Sequence, residues 1–379
     1  MPPKAHAILS ASSSHRWLNC PPSARLCETY EDKGSNYAAE GTDAHSLCEY
    51  KLRKALGMGA VDPSEHLTWY NEEMEDCANG YATYIMELVE TAKEVCSDPV
   101  VLIEQRVDFS RWVEQGFGTS DAIIISDGTL RVIDYKHGLG VLVDADNNPQ
   151  MMCYALGALE LFDAIYDIDN VAMTVYQPRR QNVSTFEMSK DDLYRWAEEV
   201  LKPTAELAFA GDGNFLCGEW CGFCKAKHEC RARAEANLLL AQYDFKLPPL
   251  LEDSEIEVIL SRADQLVSWV NDIKEYALQQ AISGKDWTVF KLVEGRSNRR
   301  YTDETAVTQA VTNAGFDPYE RKLLGITAMQ KLLGKSRFEE LLSAYIEKPQ
   351  GKPTLVPESD KRPVMNNAKT DFMEENDYE

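Results

Sequence analysis

Two acidic residues and one lysine stand out in neighbouring stretches of alternating apolar sequence. Asp121 follows Gly118 in GTSDAIIIS, and Asp134 and Lys136 lie in VIDYK. Strand residues two apart share a face, so Asp134 and Lys136 point the same way, and a hairpin partner can bring Asp121 alongside them. Two crowded carboxylates repel unless a cation lies between them, and oxygen ligands favour Mg²⁺ or Mn²⁺. The pattern therefore predicts a divalent metal site.

In such a site Lys136 would orient or deprotonate an attacking water and offset the negative charge that develops on a phosphate. The plain alternative is an exposed salt bridge between Asp134 and Lys136. The sequence around the pair favours the first interpretation, because further polar residues follow at regular spacing.

Four positions add to the candidate site. Gln150 and Tyr154 are four residues apart on the next predicted helix, so they project from one face toward a phosphate or the lysine. His45 is predicted one turn into a helix capped by Thr42, where it is either a neutral metal ligand or a structural histidine. Glu104 is polar within a strand and is either a supporting carboxylate or an exposed strand residue.

The ten cysteines are unevenly distributed. Five are dispersed in helical patterns and are interpreted as small buried side chains: Cys27, Cys48, Cys77, Cys96 and Cys153. Four lie in the short stretch CGEWCGFCKAKHEC: Cys217, Cys221, Cys224 and Cys230. Since a CxxC turn lets two thiolates converge, this density predicts a metal or cluster site. The fourth ligand is either Cys217, completing a local four-cysteine zinc site, or the distant Cys20 in WLNCPPSARL, tying two ends of a domain together.

The elements that must position these residues form an α/β pattern. Two helices, over 36–56 and 69–95, precede a meander of three strands at 100–109, 118–126 and 129–136. A helix at 148–162, two strands at 171–177 and 184–188, and a helix over 190–209 follow. This order predicts a central mixed sheet flanked by helices. Beyond it, helices are predicted over 231–242, 253–282, 303–313 and 328–345, a strand over 287–293, and a disordered acidic tail from 349.

Charge and hydropathy exclude several classes of protein. The 379 residues carry a net charge of −23, which argues against a protein that coats nucleic acid by bulk charge. No run approaches the roughly 18 apolar residues of a membrane span, and no secretory signal pattern is present, so we expect a cytoplasmic protein without a membrane partner. Any phosphate contacts must be local, and the candidates are Arg179, Arg180, Arg296, Arg299 and Arg300.

Taken in order, the motifs resemble those of one nuclease branch. They are GTxxH ending at His45, GxxD ending at Asp121, DxK from Asp134 to Lys136, and QxxxY from Gln150 to Tyr154. This set, with an early cysteine, a CxxC and a last cysteine, resembles the iron–sulfur subset of the RecB-like PD-(D/E)XK nucleases, such as AddB-type domains and CRISPR adaptation nucleases. The match covers about residues 10 to 235, and the C-terminal part resembles a phage- or prophage-encoded family.

The resemblance implies a metal-dependent DNA nuclease, expected to be an exonuclease, in phage DNA recombination, repair or processing. It implies a PD-(D/E)XK core over 1–235, a helical region with a small α+β module over 236–350, and a tail over 351–379. Mg²⁺ or Mn²⁺ would be held by His45, Asp121, Asp134 and the carbonyl of Tyr135. A [4Fe–4S] cluster would be held by Cys20, Cys221, Cys224 and Cys230.

Two departures from the family pattern limit the partners and the mechanism. The acid before xK is Asp134 rather than the commoner glutamate, and no GxxxxGK[ST] helicase loop is present, so the chain acts alone or with a helicase or recombinase partner on DNA. Two alternatives remain: a non-catalytic DNA-binding accessory module that keeps the fold and cluster, and a zinc-stapled scaffold using the four clustered cysteines.

Overall fold

The structure is a computed structural model that describes residues 7–31, 34–239, 251–294, 301–319, 323–347 and 356. By contacts the chain forms two compact units, Met1–Gly284 and Lys285–Glu379. The predicted domain end at residue 235 lies inside the first unit, because Arg233 forms an ion pair with Asp272 of a later helix. The end of the nuclease-like domain at residue 235 stays a prediction.

Five strands form one mixed sheet in chain order, with the bounds β1 (Val100–Asp108), β2 (Phe117–Ser126), β3 (Gly128–Tyr135), β4 (Ile168–Gln177) and β5 (Asn182–Ser189). Neighbouring strands are antiparallel except β3 and β4, which are parallel. A parallel pair needs a crossover connection, and the helix Pro149–Phe162 lies in it. The predicted α/β class with a central mixed sheet is confirmed at this level.

Helices cover both faces of the sheet. The helices of the first unit before the cysteine-rich stretch are α1 (Ser14–Asn19), α2 (Ser23–Glu28), α3 (Asn36–Ala55), α4 (Glu72–Val95), α5 (Pro149–Phe162), α6 (Lys190–Trp196) and α7 (Lys202–Ala210). Helices α3 and α4 share one apolar core with the sheet, and the others share a second core on the opposite face. Successive strand residues therefore alternate between two buried faces: Ile123 joins the second core, while Ala122 and Ile124 join the first.

The start of the chain differs locally from the prediction. Two short helices, α1 and α2, precede α3. Helix α3 is capped by the Ser35 hydroxyl, which accepts from the Ala38 amide, and Thr42 instead donates to the Ala38 carbonyl inside the helix. The predicted Thr42 cap is wrong, and His45 consequently lies in the middle of α3.

Later elements also differ in detail. The predicted helix over 190–209 is interrupted by a π-helical turn at Ala197–Leu201 between α6 and α7. Residues Trp287–Val293, predicted as a strand, form none, because no described strand lies beside them. The predicted helix over 328–345 is two helices, since Gly334 adopts a φ of 75° between them.

The remaining described helices are α8 (Arg231–Leu238), α9 (Asp253–Ile282), α10 (Glu304–Asn313), α11 (Ile326–Leu333) and α12 (Lys335–Leu342). The last three belong to the second unit. Apart from Val356, residues 348–379, which include the predicted tail, lie outside the described residues, as do 240–250. No helix within the described part is both long and apolar enough to cross a bilayer.

Candidate functional site

The antiparallel register of β2 and β3 brings the two predicted aspartates together. Ala122 is paired with Ile133, so the next residues along the two strands, Asp121 and Asp134, are neighbours. The backbone amide of Tyr135 donates to Oδ2 of Asp121 over 2.6 Å, which fixes that carboxylate against the end of β3. The two aspartates therefore lie side by side on β2 and β3.

A three-residue group with metal-ligand chemistry forms on this side of the sheet. One ligand atom each from His45 of α3, Glu104 of β1 and Asp121 of β2 lies within 4.8 Å of the other two. His45 Nδ1 is 3.0 Å from Asp121 Oδ1. Glu104, for which the sequence left an exposed role open, is partly buried beside the other two.

Burial and charge set the protonation of this group. Burial lowers the pKa of His45, but the charge and hydrogen bond of Asp121 outweigh it and raise that pKa to about 9. Burial raises the pKa of Asp121, yet the His45 charge and hydrogen bond hold it below its usual value. Burial, followed by the charge of Asp121, raises the pKa of Glu104 to about 7. The metal-free group therefore holds one or two protons near neutral pH.

Asp134, Lys136, Gln150 and Tyr154 form an adjoining network. Lys136 Nζ lies 2.8 Å from Asp134 Oδ2 and donates to Gln150 Oε1 at 3.2 Å. The Gln150 amide nitrogen donates to Asp134 Oδ1 and to the Tyr154 hydroxyl, each over 3.1 Å. The lysine is thus at ion-pair distance from Oδ2, the second oxygen of the buried Asp134 carboxylate.

The network keeps the lysine charged. Burial lowers the pKa of Lys136, but the adjacent Asp134 carboxylate outweighs it, and the pKa lies above its ordinary value. Burial, opposed by Lys136 and reinforced by the charge of Asp121, raises the pKa of Asp134. Lys136 is thus a cation beside two acidic groups, a state suited to electrostatic stabilisation rather than to removing a proton.

Local sequence explains how α5 presents Gln150 and Tyr154. The Asn148 side chain accepts from the Gln150 amide and caps the helix, and Pro149 occupies its first turn. A Cβ at Gly118 would lie 2.5 Å from Cε1 of Tyr154, so the glycine of GxxD makes room for the tyrosine ring. The two motifs therefore depend on each other sterically.

The clustered cysteines line a second site in the first unit. A small cavity of about 20 Å³ is bounded by three of them, by the distant Cys20 and by basic, polar and apolar residues: Cys221, Cys224, Cys230, Cys20, Arg16, Lys227, Ser23, Leu26, Phe215, Leu216 and Trp220. Residues from α1 and α2 thus meet the stretch 215–230. Cys217 does not line the cavity, so the structure places Cys20 with the three later cysteines.

The thiol spacing differs from that of a zinc site. A tetrahedral zinc with Zn–S bonds of about 2.3 Å holds its thiolates about 3.8 Å apart. Within the described residues, no three of these sulfurs lie within 4.8 Å of one another. No preformed zinc tetrahedron is therefore present among them.

Comparison with known proteins gives a family. Residues 6–363 match the family described as "Protein of unknown function (DUF2800)". The chain belongs to the DUF2800 family. A solved structure titled "Crystal structure of SSO0001" is similar at 14% identity, over 49% of this chain and 95% of that chain, with a TM-score of 0.21. That score carries no argument about fold.

Two residues of this DUF2800 chain join the sites without having been singled out in the sequence. Cys27, interpreted as a small buried side chain, has its Sγ 3.7 Å from Cys224 Sγ. His137 is buried, with Nδ1 2.9 Å from the Tyr135 hydroxyl and Nε2 3.5 Å from Glu40. Cys27 lies on α2, seven residues after Cys20, and His137 directly follows DxK. Each becomes noticeable in the sequence only once the neighbouring motif has been assigned.

The loop between Lys136 and α5 is held in one conformation. The buried Gln177 side chain donates to the carbonyls of Gly138 and Val141 and accepts from the Val143 amide. The Arg180 guanidinium donates to the Leu139 carbonyl. The loop between Lys136 and α5 of this DUF2800 chain is therefore pinned by two side chains, one at the end of β4 and one just after it.

The arginines predicted to contact phosphate have different surroundings. Arg179 lies 3.1 Å from each of Glu40 and Glu73, so its charge is already balanced by two carboxylates. Arg180 is exposed beside the pinned loop. Arg296, Arg299 and Arg300 lie outside the described residues.

Proposed function

We propose that this DUF2800 chain is a metal-dependent deoxyribonuclease of the RecB-like PD-(D/E)XK type. The observation that carries the proposal is the convergence of His45, Glu104 and Asp121 beside the Asp134–Lys136 pair. Three residues with metal-ligand chemistry next to a partly buried lysine are the components that metal-assisted phosphodiester hydrolysis requires.

The residues fit a divalent cation. Ligand atoms of three residues already converge, and Asp134 lies on β3 beside Asp121. We assign the cation to His45, Asp121 and Asp134 with the Tyr135 carbonyl, and add Glu104 as a further ligand. When bound, Mg²⁺ or Mn²⁺ supplies positive charge at the phosphate oxygens and acidifies a water.

The chain's own groups then have separate roles. Lys136, kept protonated by Asp134, offsets the negative charge that develops on the phosphate. Gln150 holds the acid and the lysine in register through its two hydrogen bonds, and Tyr154 fixes the amide of Gln150. The DNA strand would approach along the pinned loop that follows Lys136.

We further propose that Cys20, Cys221, Cys224 and Cys230 hold a [4Fe–4S] cluster. They line one cavity, no carboxylate lines it, and the Arg16 guanidinium would offset part of the negative charge of four thiolates. The wider spacing of the sulfurs is less suited to a single zinc ion. The cluster would be structural, joining the α1–α2 segment to residues 215–230.

The partner of this activity would be DNA, single-stranded or with a duplex end, and a helicase or recombinase where unwinding is required. With a net charge of −23, affinity must come from a local basic path and fall steeply with salt. Because Arg179 is paired with two glutamates, Arg180 is the better placed of the two arginines to contact a phosphate. A role in phage DNA processing in the bacterial cytoplasm belongs to the same proposal.

The decisive experiment is an anaerobic cleavage assay with Mn²⁺ on end-labelled single- and double-stranded DNA, linear and circular. We expect Asp121→Ala and Lys136→Ala to reduce cleavage at least 100-fold, about the contribution of one electrostatic group in a transition state. Lys190→Ala is the matched control, because Lys190 forms an ion pair with Asp163 at the same 2.8 Å distance away from the site.

The outcomes separate the alternatives. Cleavage that survives in both Asp121→Ala and Lys136→Ala would contradict the assignment of these residues to a nuclease active site. DNA binding without cleavage by the wild type would indicate the non-catalytic accessory module instead. Visible absorbance of an anaerobic preparation with four irons per chain supports the cluster, whereas a colourless protein with one zinc rejects it.

A further inference from the structure

The cysteine-rich region contains two thiols, Cys27 and Cys217, beyond the four assigned to the cluster, and Cys27 is the one that contacts Cys224. Cys27 of α2 and Cys224 are both buried, and their sulfurs are 3.7 Å apart. The two residues pack with Ala226 in a small apolar cluster of their own. Cys27 does not line the cavity that the other four cysteines share, so it approaches Cys224 from behind the proposed ligand set.

The position of the Cys27 side chain is fixed by Arg16. One guanidinium nitrogen, Nη1, donates to the Ser23 carbonyl over 2.7 Å, to the Ser23 hydroxyl over 3.0 Å and to Cys27 Sγ over 3.2 Å. Arg16 therefore joins α1 to α2 and directs the sulfur toward Cys224. The close approach of the two thiols thus involves the consecutive helices α1 and α2 and a segment almost 200 residues later.

We infer that Cys27 and Cys224 form a reversible disulfide when the cluster is absent, and that this bond and the cluster compete for Cys224. The inference rests on the proposed cluster only in its second half. One sulfur cannot be both an iron ligand and half of a disulfide. In a reducing compartment such a bond is transient and responds to oxidants.

The chemistry requires one peroxide per pair. Hydrogen peroxide oxidises one thiol to a sulfenic acid and leaves as water, and the second sulfur attacks the sulfenic sulfur and releases a second water. Two thiols and one peroxide thus give one disulfide and two waters. A dithiol reductant reverses the bond by exchange and returns both thiols.

The test uses the full-length chain, freed of metal and reduced under anaerobic conditions. After one equivalent of hydrogen peroxide, free thiols are alkylated and the peptides are analysed by mass spectrometry. We expect two of the ten thiols to be lost and a cross-linked peptide containing Cys27 and Cys224. Alkylation of both residues, or a link from Cys224 to another cysteine, would overturn the inference.

A second readout follows iron and sulfide uptake by visible absorbance. The oxidised protein should take up less than a tenth of the cluster that the reduced protein takes up, and a dithiol should restore uptake. Cys27→Ser should take up the cluster equally before and after peroxide. Cys96→Ser is the matched control, because Cys96 ends α4 away from these thiols, and it should behave as wild type.

The two proposals fail separately. Equal uptake by oxidised and reduced wild type, with the cross-link present, would overturn the competition. No uptake by the reduced wild type would overturn the cluster and the competition together, while the cross-linked peptide still decides the disulfide.

Discussion

Metal binding at the His45–Glu104–Asp121 group should release protons, and the size of the effect follows from the structure. The metal-free histidine has a pKa of about 9, so near neutral pH a cation must displace its proton before the imidazole can act as a ligand. Each pH unit below that pKa costs a factor of about ten in apparent affinity. The cation should therefore bind more weakly at lower pH.

The expected magnitude can be bounded. Between about pH 6.5 and pH 8.5 the deprotonated fraction of a group with that pKa rises about 70-fold. The His45 side chain is 34% exposed, and solvent screening reduces the effect of its ion pair with Asp121. We therefore expect Mn²⁺ affinity to rise about ten- to seventyfold over this range. Glu104, with a pKa of about 7, adds part of a second proton below neutral pH.

The assay is calorimetric titration of the metal-free chain with Mn²⁺ in two buffers of different ionisation enthalpy. The difference in heat gives the number of protons released, expected to be at least one near pH 7. His45→Asn removes the proton together with one ligand, so its affinity should be lower but nearly independent of pH above neutrality. An affinity that stays constant in the wild type, with no proton released, would refute the assignment of His45 as a ligand.

Further predictions concern stability and packing. A carboxyl whose pKa rises on folding makes the protein less stable as the pH rises from the unfolded pKa to the folded pKa. Glu104→Gln should therefore raise the free energy of unfolding of the metal-free chain at about pH 8 by about 1–3 kcal/mol, as measured by denaturant titration. The exposed control Glu187→Gln should change it by less than about 0.5 kcal/mol. Gly118→Ala would drive a methyl into the Tyr154 ring and should cost about 1–3 kcal/mol and reduce cleavage, while Gly41→Ala, with open space on α3, should stabilise by about 0.5–1 kcal/mol. If Gly118→Ala leaves the midpoint of denaturant unfolding unchanged, the steric explanation is contradicted.

Short-range periodicity was sufficient to predict much of the candidate site. Alternation along β3 places Asp134 and Lys136 on one face, and helical spacing places Gln150 and Tyr154 within 3.1 Å of each other. Both rules depend only on backbone geometry near the residues concerned. The pairing of Asp121 with Asp134 required one further assumption, a hairpin, which the short turn at Gly128 supplies.

Contacts between distant segments were not predictable in this way. Nothing near Cys27 indicates that α2 will pack against Cys224, almost 200 residues later in the chain. The Trp287–Val293 stretch has the apolar content of a strand, but a strand forms only where a partner edge is present, and that depends on the whole fold. The cap of α3 was assigned to the wrong residue because Ser35 and Thr42 are both competent caps by sequence alone.

The backbone of Glu104 has a consequence for how this protein can change. Its φ of 51° is left-handed, although the residues on both sides of it pair regularly with β2. A non-glycine residue in that conformation stores about 1 kcal/mol or more of strain. Selection for thermal stability alone would favour glycine or asparagine there, and selection for cation binding would retain the carboxylate. At position 104, a laboratory screen for stability and selection for cation binding would therefore favour different residues.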